Sequence, residues 1–137
     1  MSCETSSRRP VVPGPLRWAI AAATSSAAVA HLPVIGPHLH EAPYMGVLFV
    51  LLTAACLALA AAVLIRDSPI VYASAAAVCG LAIIGYAATR LVAFPQLADD
   101  VGNWLEPLGV LAVCCEATVV ALSIAALGRS RHSERGS

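Results

Sequence analysis

The sequence contains no lysine, and only 12% of its 137 residues are charged, well below the roughly 25% of an average soluble domain. The eight basic residues, all arginine, are balanced by eight acidic ones. A net charge of zero argues against nucleic acid as a partner, because phosphate binding needs a basic surface. None of the five cysteines (Cys3, Cys56, Cys79, Cys114, Cys115) forms a CxxC pair. Four of them lie inside apolar runs, where they read as small buried thiols rather than as a disulfide framework. No conjunction of nucleophile and base is visible: Ser25 and Ser26 lie below His31 with nothing to activate them. An enzyme is therefore not the expected reading.

What the chain does have is apolar sequence. The hydrophobic set makes up 59% of residues, and the mean hydropathy is +0.81. Four runs stand out, at about residues 16–35, 44–65, 69–94 and 104–127. Each has at least 20 residues, enough at about 1.5 Å per residue to cross a hydrocarbon core of roughly 30 Å. In lipid the backbone must satisfy its own hydrogen bonds, so such runs are expected to be helices. Pro15, Pro43 and Pro69 stand where a missing N–H does no harm to a helix start. The expected fold is an all-α membrane protein, a four-helix up-and-down bundle with short loops.

Arginine placement gives the expected orientation. Arg8, Arg9 and Arg17 precede or open the first span, Arg66 separates the second and third, and Arg129, Arg131 and Arg135 follow the fourth. The other two connections carry none, so the positive-inside rule places both termini in the cytoplasm of a bacterium and the protein in its plasma membrane. The polar ends, residues 1–15 and 128–137, are expected to be disordered tails. A competing reading takes "SSRRPVV" and the following Ala-rich stretch as a secretory signal cleaved after Ala30. It would leave three helices, against the paired four.

Ionisable groups inside a span need a partner or a wet cavity. Glu116 lies midway along the fourth run, on one stripe with Glu106, Gly109, Val113, Val120 and Ser123. Tyr86 or Thr53 could hydrogen-bond its carboxyl, and a proton- or cation-handling role competes with that structural one. Depth counting places His31, Arg90 and Glu106 together near the outer end. The expected cluster is an Arg90–Glu106 ion pair with His31 beside it, closing the bundle or forming a site. Thiolates at Cys56, Cys79, Cys114 and Cys115 near a carboxylate would suit a soft metal such as Cu(I), the less favoured reading.

The stretch "HLHEAP" is expected to be an outer loop, with His38, His40 and Glu41 as candidate ligands for a transition metal. Asp99 and Asp100 in the other outer loop could add carboxylates. Bis-histidine haem would need two facing helical histidines, and only His31 falls within a span. Small-residue surfaces such as "AACLALAAA" favour close helix contact and hence a homo-oligomer or a larger membrane complex.

"AHLPVIGPHLHEAPYMGVLF" and "YAATRLVAFPQLADDVGNWLEPLGVLAVCCEA" together resemble small four-helix integral membrane proteins of high-GC bacteria. The residues that carry the resemblance are His31, Glu41, Pro43, Tyr44, Gly46, Arg90, Pro95, Trp104, Glu106, Gly109 and Glu116. It implies a shared architecture and assigns no catalytic residue. The functional expectation is a non-enzymatic accessory or binding subunit with an outward polar cluster and a buried carboxyl. The alternative is a metal-handling or proton-coupled transporter using the outer His/acid mouth and Glu116.

Overall fold

The computed structural model describes residues 12–135. Four helices, α1 (Gly14–Glu41), α2 (Pro43–Ile65), α3 (Pro69–Leu91) and α4 (Pro107–Arg135), are each long and apolar enough to cross a membrane. The chain has the makeup of a multi-pass membrane protein. Proline sits in the first turn of α1, α2 and α3 and opens α4. It supplies a preset φ and forfeits an N–H that no helix start can use.

The first helix is longer than its apolar run. It continues through Pro33 and Pro37 to Glu41, so "HLHE" is the last turn of a helix and not a loop. The two prolines are one turn apart, and the carbonyls they leave without donors, those of Val29 and Pro33, lie on the same exposed face. The opposite face of α1 keeps its ladder and its packing. Only Ala42 separates α1 from α2, and the Ala42 N–H closes the first helix on the His38 carbonyl at 2.8 Å.

The third helix stops at Leu91 rather than near 94, since Pro95 disfavours helical backbone in the residue before it. Helix α4 starts at Pro107 rather than at 104, and it runs to Arg135 rather than giving way to a tail at 128. Residues 129–135 hold no glycine or proline to break it, and Ser130, buried, bonds the Ala126 carbonyl at 3.1 Å. Residues 1–11, 136 and 137, the rest of the expected tails, lie outside the described residues.

The helices alternate in direction. The Ala42 junction and the 92–106 connection form one end, here called upper; the 66–68 connection and the start of α1 form the lower end. Helix α1 packs on α2 and α4, α4 packs on α3, and among these neighbouring pairs α2 with α3 is the most sparsely packed. Buried positions are mostly small: Ala27, Ala28, Ala60, Ala75, Ala112 and Ala126 let the backbones approach. Large apolar side chains point outward, with Trp18, Leu51, Leu81 and Ile84 all at least 60% exposed. Lipid tails are as apolar as leucine, so close van der Waals contact between small residues, rather than leucine burial, holds such a bundle together.

The lower end is tied by polar contacts. Arg17 Nε and Nη2 donate to the Val63 and Leu64 carbonyls at 3.0 and 2.6 Å, capping the last turn of α2. Asp67 accepts hydrogen bonds from the Val12 N–H at 3.1 Å and the Tyr72 hydroxyl at 2.8 Å. Above this clasp, Tyr72, Cys56, Cys79 and Val119 are fully buried and fill the lower interior.

Candidate functional site

His31 and Glu116 meet in the middle of the bundle. His31 Nε2 lies 3.0 Å from Glu116 Oε1, with side-chain exposures of only 7% and 2%. The two helices that carry them, α1 and α4, run antiparallel and bring them to one level. His31 stands ten residues before the end of α1 and Glu116 nine after the start of α4, about 14–15 Å below the upper end at the helical rise. Each of the two ionisable side chains thereby has a partner in an interior where neither would be tolerated alone.

Arg90 takes a different partner from the expected one. Its Nη1 lies 2.7 Å from Asp100 Oδ1 and 3.2 Å from the Asp100 carbonyl, and its guanidinium sits 4.7 Å over the Tyr86 ring. A single 3-10 turn, Ala98–Asp100, presents the aspartate. The Arg90 carbonyl in turn receives the Gly102 N–H at 2.9 Å. Arg90 is only 7% exposed, yet its Nε has no partner.

Glu106 does not pair with Arg90. It folds onto the start of α4, accepting from the Leu108 N–H at 3.2 Å and the Gly109 N–H at 2.5 Å. Those amides have no partner within the helix, and a carboxylate is favoured at a helix N-terminus. Tyr86 does not reach Glu116: its hydroxyl donates to the Trp104 carbonyl at 2.9 Å. Its ring packs on Gly109, where a Cβ would strike it. Thr53 is buried with an unpartnered hydroxyl, and Glu116 takes no hydrogen bond from it.

The expected outer cluster thus resolves into three separate arrangements. His31 joins Glu116, Arg90 joins Asp100 and Tyr86, and Glu106 caps its own helix. The displacement of His31 has a single cause. Ending the first helix at 35 puts His31 near the surface, whereas ending it at Glu41 lowers His31 to the depth of Glu116.

The metal candidates also separate. His38 Nδ1 donates to the Val34 carbonyl at 2.7 Å, and its ring meets Phe49 edge-on at 5.0 Å. His40 and Glu41 are exposed. On a helix two residues apart, His38 and His40 point to different sides, so one ion cannot be reached by both. Among the described residues, no three His, Cys, Asp or Glu side chains gather where a metal could be held.

Around the His31–Glu116 pair the upper half of the bundle is hollow. A cavity of about 680 Å³ is lined by all four helices, with His31 and His38 from α1, Phe49 from α2, Tyr86 and Arg90 from α3, and Glu116 from α4. Phe94 and Leu97 of the 92–106 connection also line it, and Tyr44 holds that segment through a 2.7 Å hydrogen bond to the Pro95 carbonyl. Phe49 stacks at 5.5 Å from His31, between the two imidazoles of α1.

Sequence reasoning missed Asp100 as the Arg90 partner, the lower clasp of Val12, Arg17, Asp67 and Tyr72, and the cavity itself. The adjacent acids at 99 and 100 were a usable signal for the first. The cavity had none, because a void is a property of four helices together. Comparison of the chain with protein-family models, with curated proteins and with solved structures finds no match in any of the three.

Proposed function

We propose that the protein is a small multi-pass protein of the bacterial plasma membrane, both termini cytoplasmic, acting as a non-enzymatic binding subunit. It holds a small molecule in the upper cavity, with the His31–Glu116 pair at the polar end. The observation that carries this reading is one coincidence: a buried imidazole–carboxyl pair borders a cavity of about 680 Å³ inside an otherwise small-residue bundle. Small-molecule sites commonly enclose about 300–1,000 Å³ and are apolar with a few polar groups that set orientation. Ionisable residues within a span are costly enough that they mark function.

The orientation rests on arginine. Arg17, Arg66, Arg129 and Arg131 belong to the lower end, while the arginine of the upper half, Arg90, is bound to Asp100. A homo-oligomer or a larger complex fits the small-residue helix faces.

The test is mass spectrometry of the small molecules that co-purify with the chain. Wild-type protein retains one compound at about one per chain, and Ala82→Trp, which places bulk on a cavity wall, loses it. Identical profiles for the two proteins would remove the reading. Orientation is checked with a membrane-impermeant maleimide on intact cells, which labels His40→Cys and spares Arg131→Cys.

A second reading, proton-coupled transport, is favoured by the His31–Glu116 contact, an imidazole and a carboxyl 3.0 Å apart beside the cavity. It requires wild-type liposomes to show flux driven by a pH gradient and Glu116→Gln liposomes to show none. The metal-handling form of this reading requires ligands from two copies of the chain, because His38 and His40 diverge on α1. Elemental analysis of the purified protein decides it.

A further inference from the structure

We infer that the ligand is an uncharged, quinone-type lipid: a planar ring bearing carbonyl acceptors and one apolar chain, entering sideways from the bilayer between α2 and α3. The inference rests on the binding reading above and adds to it a chemical class and a route.

The route follows from the walls. Every cavity residue from α2 is apolar: Met45, Leu48, Phe49, Leu51, Leu52 and Ala55. Facing them across the sparsest contact between neighbouring helices are Val78, Leu81, Ala82 and Gly85 of α3. Leu48, Leu51 and Leu81 both line the cavity and stand 54%, 60% and 68% exposed on the outer surface of the bundle. The seam between α2 and α3 is therefore a mouth opening at hydrocarbon depth. Below it, buried Cys56 and Cys79 close the same seam. Only a molecule already dissolved in the bilayer reaches such a mouth, and its chain can remain between the leucines.

Charge decides the head. Each ionisable group in the wall is already answered: Glu116 by His31, Arg90 by Asp100, Glu106 by the amides of the first turn of α4, His38 by the Val34 carbonyl and the Tyr86 hydroxyl by the Trp104 carbonyl. No unmatched cation awaits a phosphate or carboxylate, and no unmatched anion awaits an ammonium. A charged head would lose its hydration without gaining a counter-ion.

An uncharged head still finds a use for its oxygens. Arg90 is among the residues that line the cavity, and its Nε is buried without an acceptor. A carbonyl oxygen supplies one, at a site where an unmade hydrogen bond is costly. Aromatic side chains face the space from different elements, Phe49 from α2, Tyr86 from α3 and Phe94 from the connection above, as suits a flat ring more than a branched glycerol head.

The experiment uses the full chain in nanodiscs, with a naphthoquinone carrying one isoprenoid chain as the probe and retention after gel filtration as the readout. Dioleoylglycerol, oleate and dodecyltrimethylammonium serve as the neutral branched, anionic and cationic comparisons. Wild type is expected to retain the quinone at about one per chain and to discriminate at least tenfold against the other three. Gly85→Trp tests the mouth, since a side chain added at Gly85 meets no atom within 4 Å. It should abolish retention with the fold intact. Gly80→Trp, equally unobstructed on the same helix and outside the cavity wall, should retain the quinone as wild type does.

Preferential retention of dioleoylglycerol, oleate or the ammonium probe, lost in Gly85→Trp, overturns the quinone class and leaves the binding reading standing. Retention of no probe, together with no co-purifying compound, overturns both. Quinone retention equal in wild type and Gly85→Trp overturns the lateral route.

Discussion

The two halves of the bundle use similar residues to opposite ends. Below, Arg17 reaches across to the carbonyls that end α2, Asp67 gathers Val12 and Tyr72, and the interior between them is filled. Above, Arg90 turns to an aspartate in the connection, Glu106 caps its own helix, and His31 and Glu116 meet across a hollow. In the lower half polar groups tie helices to one another and the interior closes. In the upper half Arg90 and Glu106 are satisfied locally, His31 and Glu116 join α1 to α4, and space is left between α2 and α3.

The comparison breaks most sharply at Glu116. Replacing it with alanine leaves His31 buried without a partner, and unfolding of the purified protein in mixed detergent should show a loss of about 3 kcal/mol. The paired His31→Leu, Glu116→Leu variant should be more stable than either single change, since no orphan remains. A double variant whose loss equals the sum of the two single losses would show that the two residues do not act as a pair.

Next in size is Gly46→Ala at the upper corner. A Cβ there would stand 2.7 Å from the Leu39 backbone nitrogen as well as its side chain. Backbone cannot step aside, and the expected cost is about 1–3 kcal/mol, read in the same unfolding assay. Gly36→Ala, with open space around it, should cost nothing comparable. Equal losses would mean that the corner is not closely packed.

At the lower end Asp67→Ala removes the acceptor of two hydrogen bonds. Stability should fall by about 1–2 kcal/mol, while retention of the cavity ligand stays unchanged. A loss of ligand with Asp67→Ala would show that the halves are coupled. The smallest effect belongs to His40→Ala with Glu41→Ala. Both side chains are exposed on the last turn of α1, so neither stability nor retained metal content should move.

Much of this was legible in the residues. Four apolar runs of spanning length, broken by Pro43, Pro69 and the 95–107 stretch, specify four helices because lipid tolerates little else. That His31, Arg90, Glu106 and Glu116 would need polar partners was legible as well, since ionisable groups in apolar sequence are conspicuous. Their pairing was not. For His31 it depended on where α1 ends, and two prolines and a glycine before "HLHE" read locally as a loop. The chain overrides that local signal because one face of α1 stays packed while the proline face, exposed, gives up its two hydrogen bonds.

The sequence by itself determined the number of spans, their apolar exterior and the short list of residues worth watching, because these follow from composition and period along one dimension. Only the tertiary structure decided who meets whom. Partner choice depends on helix length and relative depth, to within a turn, and an error of six residues at one helix end moves a histidine by about 9 Å. The cavity belongs wholly to the second category, because empty space between α2 and α3 is written in no single residue and arises from how closely α1 and α4 hold their neighbours on either side.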